Sequence, residues 1–312
     1  MNRRRFIRNI SLASAGVLFI NEKLQAKQPP ALPNFKPEPS KWKDDEINIA
    51  WIGHATVLIN FYGTIILTDP VFYERVGVSI LGMTFGPSRF THPALTIDEI
   101  PKPDIVLLSH AHMDHMDYET LYTLTDNFPN EIDCLTAYNT ADVIAELKWK
   151  SLQEIDWNEE AQIGEIKFKA YEVKHFGWRY PWEKDRSKGY MHDGRSFNAV
   201  TLEKNGKKIL FGGDTAYHDL FKQLKEENIE VAIMPIGAYN PWKRNHCNPE
   251  EALIMADEHI GAKYFIPIHT KTFKQGSEPI DEPLTWLNDS IPKYKIKLAI
   301  DDIGKTFTLS NL

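Results

Sequence analysis

Cysteine is nearly missing: the 312 residues hold two, Cys134 and Cys247. Two cysteines can form one bridge or stay reduced, but they cannot staple a small disulfide scaffold, so the fold must rest on a buried core. A surplus of positive charge is missing too. Lysine and arginine total 36 against 43 acids, a formal charge of −7, and five of those bases (Arg3, Arg4, Arg5, Arg8, Lys23) sit in the first 26 residues beside one acid, Glu22. Beyond them the balance is 31 against 42, or −11. Such a body has no general attraction for nucleic-acid phosphates, so nucleic acid is not an expected partner. Internal repeats are absent, and the apolar stretch from about Ile10 to Ile20 falls short of the roughly 20 residues a spanning helix needs. What remains is 42% hydrophobic, 12% aromatic and 25% charged residues, enough to bury a full core as one large domain or two small ones.

That apolar stretch follows a basic start and is flanked by small residues at Ala13, Ala15 and Ala26, the layout of an export signal over residues 1–26. Arg3-Arg4-x-Phe6-Ile7-Arg8 resembles the twin-arginine pattern, which implies passage of a folded protein to the periplasm. A basic helical arm or an uncleaved anchor is the alternative. Residues 27–45 form a Pro-rich polar lead-in over the surface. From residue 46 to 312 the composition does not break, so a single domain is expected.

Within it, strands and helices alternate. Asn48 to Trp51, Thr56 to Phe61 and Thr64 to Thr68 read as strands, the last two joined by a Tyr62-Gly63 turn. Further strands are expected over 104–108, 166–173, 198–203, 208–211, 231–235 and 264–268, with Asn205-Gly206 as a hairpin turn. Helices are expected after Asp117 as N-cap, over about 217–226, and over 249–259 behind Asn248 and Pro249. Two sheets packed face to face, with helices outside, would accommodate this order.

The stretch "LLSHAHMDHMDYE", residues 107–119, puts His110, His112, Asp114 and His115 into six positions behind an apolar run. All four are ligand types for first-row metals, and strand ends are where α/β folds place sites. Alternate side chains of an extended segment point the same way, so His110 and His112 can reach one metal while Asp114 and His115 face a second. More ligands are then needed, and other strand ends supply them: His175 after "KAYEVK", Asp214 after "KILFGG" and His269 after "KYFIPI". His192 competes with His175, which is preferred because it ends a strand.

These residues resemble the metallo-β-lactamase superfamily, whose His-x-His-x-Asp-His motif stands here as His110, His112, Asp114 and His115. The resemblance implies an αββα sandwich. It also implies two zinc ions, with iron or manganese as other candidates: one on His110, His112 and His175, the other on Asp114, His115 and His269, with Asp214 between. Asp69 in "LTDPVF" matches the aspartate that supports the ligand histidines from behind. Two close cations would lower the pKa of a bridging water toward about 7 and yield the attacking hydroxide. Asp114 and Asp214 are thus catalytic through the metals. His54 in "GHAT" and His246 in "NHCNP" match positions near the centre, where either could protonate a leaving group.

"WIGHATVLI", "GPSRF", "HFGWR", "GGDTAYH", "PIGAYNP", "HCNPEEAL" and "IPIHTKTF" are similar to the branch containing N-acylphosphatidylethanolamine-hydrolysing phospholipase D. That similarity spans about residues 46–290 and implies a phosphodiesterase acting on phospholipids. Several motifs are shared with ascorbate-phosphate lactonases, so a lactonase or other carboxyl-ester hydrolase stands as the alternative, and a non-catalytic metal-bound sensor as a third. Where relatives carry Trp-Gly after the last ligand histidine, this chain has Thr270-Lys271, and Lys271 could contact phosphate. Tyr239, Arg89 and Arg179 are the other candidate substrate contacts. "VGVSILGMTFG" (76–86) and Phe176, Trp178, Tyr180 and Trp182 could form an acyl groove, a peripheral membrane contact, a homodimer face or ordinary core.

Replacing both Arg3 and Arg4 by lysine should leave the product in the cytoplasm, as read by cell fractionation. Unchanged export would remove the twin-arginine reading.

Overall fold

The computed structural model describes residues 29–80 and 83–310. The expected export signal lies outside the described residues. From Ala31 onward the chain forms one compact unit.

Its strands, in chain order, are β1 (Ile47–Gly53), β2 (Thr56–Phe61), β3 (Thr64–Thr68), β4 (Val78–Ile80), β5 (Met83–Phe85), β6 (Ile105–Leu107), β7 (Asp133–Ala137), β8 (Ser151–Ile155), β9 (Glu160–Ile163), β10 (Ile166–Glu172), β11 (Asn198–Lys204), β12 (Lys207–Phe211), β13 (Val231–Pro235), β14 (Tyr264–Ile268), β15 (Lys297–Leu298) and β16 (Thr306–Leu309). One seven-stranded sheet runs β16-β1-β2-β3-β6-β7-β8 and the other β15-β14-β13-β12-β11-β10-β9, while β4 and β5 pair as a separate hairpin. Each sheet is mixed: an antiparallel half, β16 to β3 or β9 to β12, adjoins a parallel half, β3 to β8 or β12 to β15. The expected αββα sandwich is observed.

Strand alternation divides the side chains between layers. In β1, Ile47, Ile49 and Trp51 join the large cluster that contains residues of both sheets. Ala50 and Ile52 join a second cluster with Leu121 and Leu124 of helix α1 (Tyr118–Asn127). Cys134 belongs to that second cluster and Cys247 to the first; both are free thiols, so no bridge forms.

Both anticipated hairpin turns are present, with Tyr62, Gly63, Asn205 and Gly206 all at positive φ as the tight turn requires. Asp117 caps α1 by accepting from the Thr120 N–H. Four strands unread in the sequence, β8, β9, β15 and β16, are the outermost strands of the two sheets. Such edges are short and half solvated, so they lack a continuous apolar run. β7 and helix α3 (Glu282–Ser290) were likewise unread.

The helix expected over 217–226 is corrected to one 3₁₀ turn, Leu220–Leu224. The Ala216 N–H donates to the Lys174 carbonyl and the Thr215 carbonyl accepts from Cys247, so the chain leaving Asp214 is tied to its neighbours and cannot coil. Helix α2 (Pro249–Leu253) continues as a π-helix over Ile254–Ile260 and ends at Gly261 in the left-handed conformation.

Asn248 and Glu251 form a capping box on α2, each side chain accepting from the other's backbone N–H. Asn248→Ala should therefore cost about 1 kcal/mol in denaturant unfolding, and Asn248→Asp much less. Equal stability of all three chains would show that the cap contributes nothing.

Candidate metal centre

Every expected ligand stands just past the C-terminal end of a strand. His110 follows β6, His175 follows β10, Asp214 follows β12 and His269 follows β14. After His112 the chain turns, with His115 and Met116 both donating backbone N–H groups to the His112 carbonyl, which brings Asp114 and His115 back toward the strand ends. Gly213 precedes Asp214 at φ +57, where a Cβ would lie 2.8 Å from both Asn198 O and Ser109 Cβ. Only glycine lets the two sheets approach this closely beside the site.

Four overlapping groups of donors result among the described residues; the smaller two are Asp69, His110, His115 and Asp214, His246, His269. One atom each from His110, His112, His175 and Asp214 lies within 4.8 Å of the others, and the same holds for His54, Asp114, His115 and His269. The sequence reading grouped His110, His112 and His175 apart from Asp114, His115 and His269 and set Asp214 between them; here Asp214 falls with the first three and also with His246 and His269, and His54 falls with the second three.

Hydrogen bonds at the rear of the rings define which nitrogen is bare. His115 Nδ1 lies 2.7 Å from Asp69 Oδ2, so it donates and leaves Nε2 bare. Ser109 Oγ donates to Asp69 Oδ2 at 2.6 Å and therefore accepts from His110 Nδ1 at 2.8 Å, leaving His110 Nε2 bare. His175 Nδ1 donates to the Asn245 carbonyl at 2.9 Å. The bare nitrogens face inward: His110 Nε2 and His175 Nε2 stand 2.8 and 3.2 Å from His112 Nδ1. His115 Nε2 stands 3.3 Å from Asp114 Oδ2 and 3.2 Å from Asp214 Oδ2, without a hydrogen-bond partner. His269 Nε2 lies 3.3 and 3.1 Å from the same two oxygens. Bonds of about 2.0–2.1 Å in tetrahedral array put donors about 3.4 Å apart, so these residues fit metal ions.

Electrostatics agree with that fit. Burial, reinforced by neighbouring imidazoles, lowers the pKa of His110, His175 and His246, and brings those of His112 and His54 to about 3. Burial also opposes charge on Asp114 and Asp214, yet the adjacent His115 and His269 hold both well below the usual carboxylate range. In return the carboxylates outweigh burial at His115, raised well above 6.5, and at His269, raised to about 9. Protons on those two imidazoles balance the carboxylates when no cation does, and metal binding would displace them.

Asp69 is fully buried and accepts three bonds, from Ser109 N, Ser109 Oγ and His115 Nδ1. His246 adjoins Asp214 at 3.7 Å and is 12% exposed. His192 is exposed and joins neither donor group.

The expected substrate contacts are placed differently from one another. Arg89 is buried and donates to the carbonyls of Tyr73, Thr91 and Val71. Arg179 donates to the carbonyls of Ala111 and Met116, bracing the ligand turn. Tyr239 gives its hydroxyl proton to Glu282 Oε1 at 2.5 Å, and Lys271 pairs with Asp302 at 3.0 Å. All four are thus engaged by protein groups. Phe176 packs on His112, ring centroids 4.4 Å apart, with Trp178 beyond it at 4.8 Å. Trp182 is 79% exposed and stacks on Tyr180.

Two site residues escaped the sequence reading. Ser109 relays Asp69 to His110, and its position directly before the motif was the available signal. Gln275 donates to Asp114 Oδ2 at 2.6 Å from a loop with no distinguishing pattern.

Residues 64–270 match the family described as Beta-lactamase superfamily domain. The chain is 30% identical over 285 residues to an uncharacterised protein of Mycobacterium tuberculosis, covering 87% of this chain and 72% of that one. It is 32% identical over 273 residues to the mitochondrial N-acyl-phosphatidylethanolamine-hydrolyzing phospholipase D of Saccharomyces cerevisiae, covering 82% of this chain and 54% of that protein. A solved metallo hydrolase of Ignicoccus hospitalis superposes with a TM-score of 0.62 at 16% identity, over 86% of this chain and 100% of that one, a likeness of fold.

Asp69→Asn offers one acceptor oxygen where three donors converge, and its amide N–H₂ would face them. Metal affinity should fall roughly 10–100-fold in a chelator competition. Unchanged affinity would remove Asp69 from the site.

Proposed function

The chain belongs to the beta-lactamase superfamily, and on that premise we propose a binuclear, zinc-dependent hydrolase that cuts the phosphodiester of N-acylphosphatidylethanolamine-like phospholipids. The observation that carries the hydrolase reading is the set of imidazole nitrogens turned inward around Asp114 and Asp214. An imidazole-rich set with carboxylates suits zinc. Support for the substrate comes from the similarity to the yeast phospholipase D and from the Phe176–Trp178 wall beside His112.

A pair of divalent cations held there supplies Lewis acidity and water acidified to a pKa of about 7. The chain's own residues do the rest. Asp69 and Ser109 keep His115 and His110 turned inward. Arg179 holds the turn that carries Asp114 through two backbone carbonyls. Phe176 and Trp178 offer apolar surface on which an acyl chain can lie and from which water is excluded. His246, partly exposed and with Nδ1 unpartnered, is our candidate to relay a proton to the leaving oxygen; its lowered pKa keeps the ring neutral until it takes one up. Export to the periplasm belongs to the same proposal, on the Arg3-Arg4 start. So does a peripheral bilayer contact, on Trp182.

Zinc-reconstituted protein given N-acylphosphatidylethanolamine in mixed micelles should release phosphatidic acid and an N-acylethanolamine, identified by mass spectrometry. Turnover of lactones alone would overturn the phospholipid reading and leave the metal centre in place.

A further inference from the structure

His54 and His269 are the two site histidines held in a left-handed backbone, and His54 ties the two together. His54 occupies the two-residue link between β1 and β2 at φ +50, a left-handed conformation that costs a side-chain-bearing residue free energy and persists where the surroundings enforce it. Three backbone bonds enforce it here. The His54 N–H donates to Thr272 Oγ1 at 2.7 Å, and its carbonyl accepts from Trp51 Nε1 at 2.9 Å and from the His269 N–H at 3.0 Å. The last bond reaches a ligand: a residue of the first sheet clamps the backbone of His269, at the end of β14 in the second, itself at φ +60.

The side chain reaches another. His54 Nε2 lies 2.9 Å from Asp114 Oδ2, the oxygen that faces His115 and His269. A carboxylate oxygen only accepts, so His54 carries its proton on Nε2 and leaves Nδ1 bare. That Nδ1 is buried and has no hydrogen-bond partner. The ring is 1% exposed and packs on His269 (4.3 Å) and edge-on to Phe273 (5.2 Å). A ring so enclosed has no route to a leaving group, whereas His246 at the rim does.

We infer that His54 is a positioning residue: its Nε2–H orients the Asp114 carboxylate and its carbonyl anchors His269, so that two ligands of one metal ion are held by a single strained residue of the β1–β2 link. The inference replaces the proton-donor role expected from sequence. It rests on the binuclear reading, and its tests need no substrate.

Two substitutions separate positioning from mere packing. His54→Asn tolerates the left-handed backbone but is too short to reach Asp114; His54→Gln can place an amide N–H near the position of Nε2. Titration with zinc against a chromophoric chelator should give two ions per wild-type chain. In the asparagine variant one ion should weaken about 10–100-fold while the other is unchanged, and glutamine should restore most of the loss. Long-range ¹H–¹⁵N spectra of the wild-type protein should report His54 as the Nε2–H tautomer. Wild-type affinity for both ions in His54→Asn, a folded glutamine variant no better than asparagine, or an Nδ1–H tautomer would each overturn the inference. A wild-type chain that binds no second ion would overturn it together with the binuclear reading, whatever the substrate screen shows.

Discussion

Two carboxylates, Asp114 and Asp214, share a desolvated pocket with five imidazoles whose inward nitrogens lie close to them and to one another. Lone pairs facing lone pairs in a low-dielectric interior repel, and a buried ionised carboxylate is costly without an opposite charge. Without metal, the chain meets the requirement with protons on His115 and His269. A divalent cation would meet it better, because it accepts several lone pairs at once. The surroundings are arranged around this constraint. Asp69, Ser109 and the Asn245 carbonyl take the outward N–H of three rings, so those rings cannot turn away.

The sandwich makes that arrangement by its topology. Each sheet has a parallel half, and the ligands lie beyond the C-terminal ends of β6, β12 and β14, with β10 contributing His175 from an antiparallel neighbour. Neither sheet alone holds a complete donor group: His110 and His112 come from the first, His175 and Asp214 from the second. Folding of the two sheets against each other and assembly of the site are therefore one event. Its local cost is visible in three non-glycine residues at positive φ, His54, Asp69 and His269, all at the cluster. Strain of this kind at the ligands, held by hydrogen bonds from both sheets, is expected where geometry is dictated by a ligand set.

Much of this was legible beforehand because the site sits on buried strands. β2, β3, β13 and β14 are continuous apolar runs with turn residues behind them, and the ligand-type residues after β6, β12 and β14 stood out against that background. What was not legible lies where side chains cross between segments far apart in sequence. Gln275 and Asp114 are separated by 161 positions and nothing in either segment announces the bond. Arg89, Arg179, Lys271 and Tyr239 illustrate the converse. Each is a residue type suited to a phosphate or a polar ligand, but a neighbouring backbone carbonyl or acid engages it, and no local pattern could identify that partner. The edge strands β8 and β9, half solvated and rich in charged and amide side chains, lacked the apolar contrast on which strand reading depends.

Lys271 also bears on which wall of the site selects substrate. Its ammonium is tied to Asp302 and its backbone lies at φ +60. With Thr91 Oγ1 donating to its carbonyl at 2.8 Å, the residue is a strut between the ligand loop and two neighbouring segments. Held in this way, Lys271 braces the His269 side of the centre. His54 reinforces the same side through its bonds to His269 and Asp114. The opposite side, where Phe176 and Trp178 adjoin His112, is partly exposed and aromatic. The centre is thus braced on one flank and lined by aromatic surface on the other, so the two flanks offer a ligand different chemistry: fixed polar groups on one side, partly exposed rings on the other.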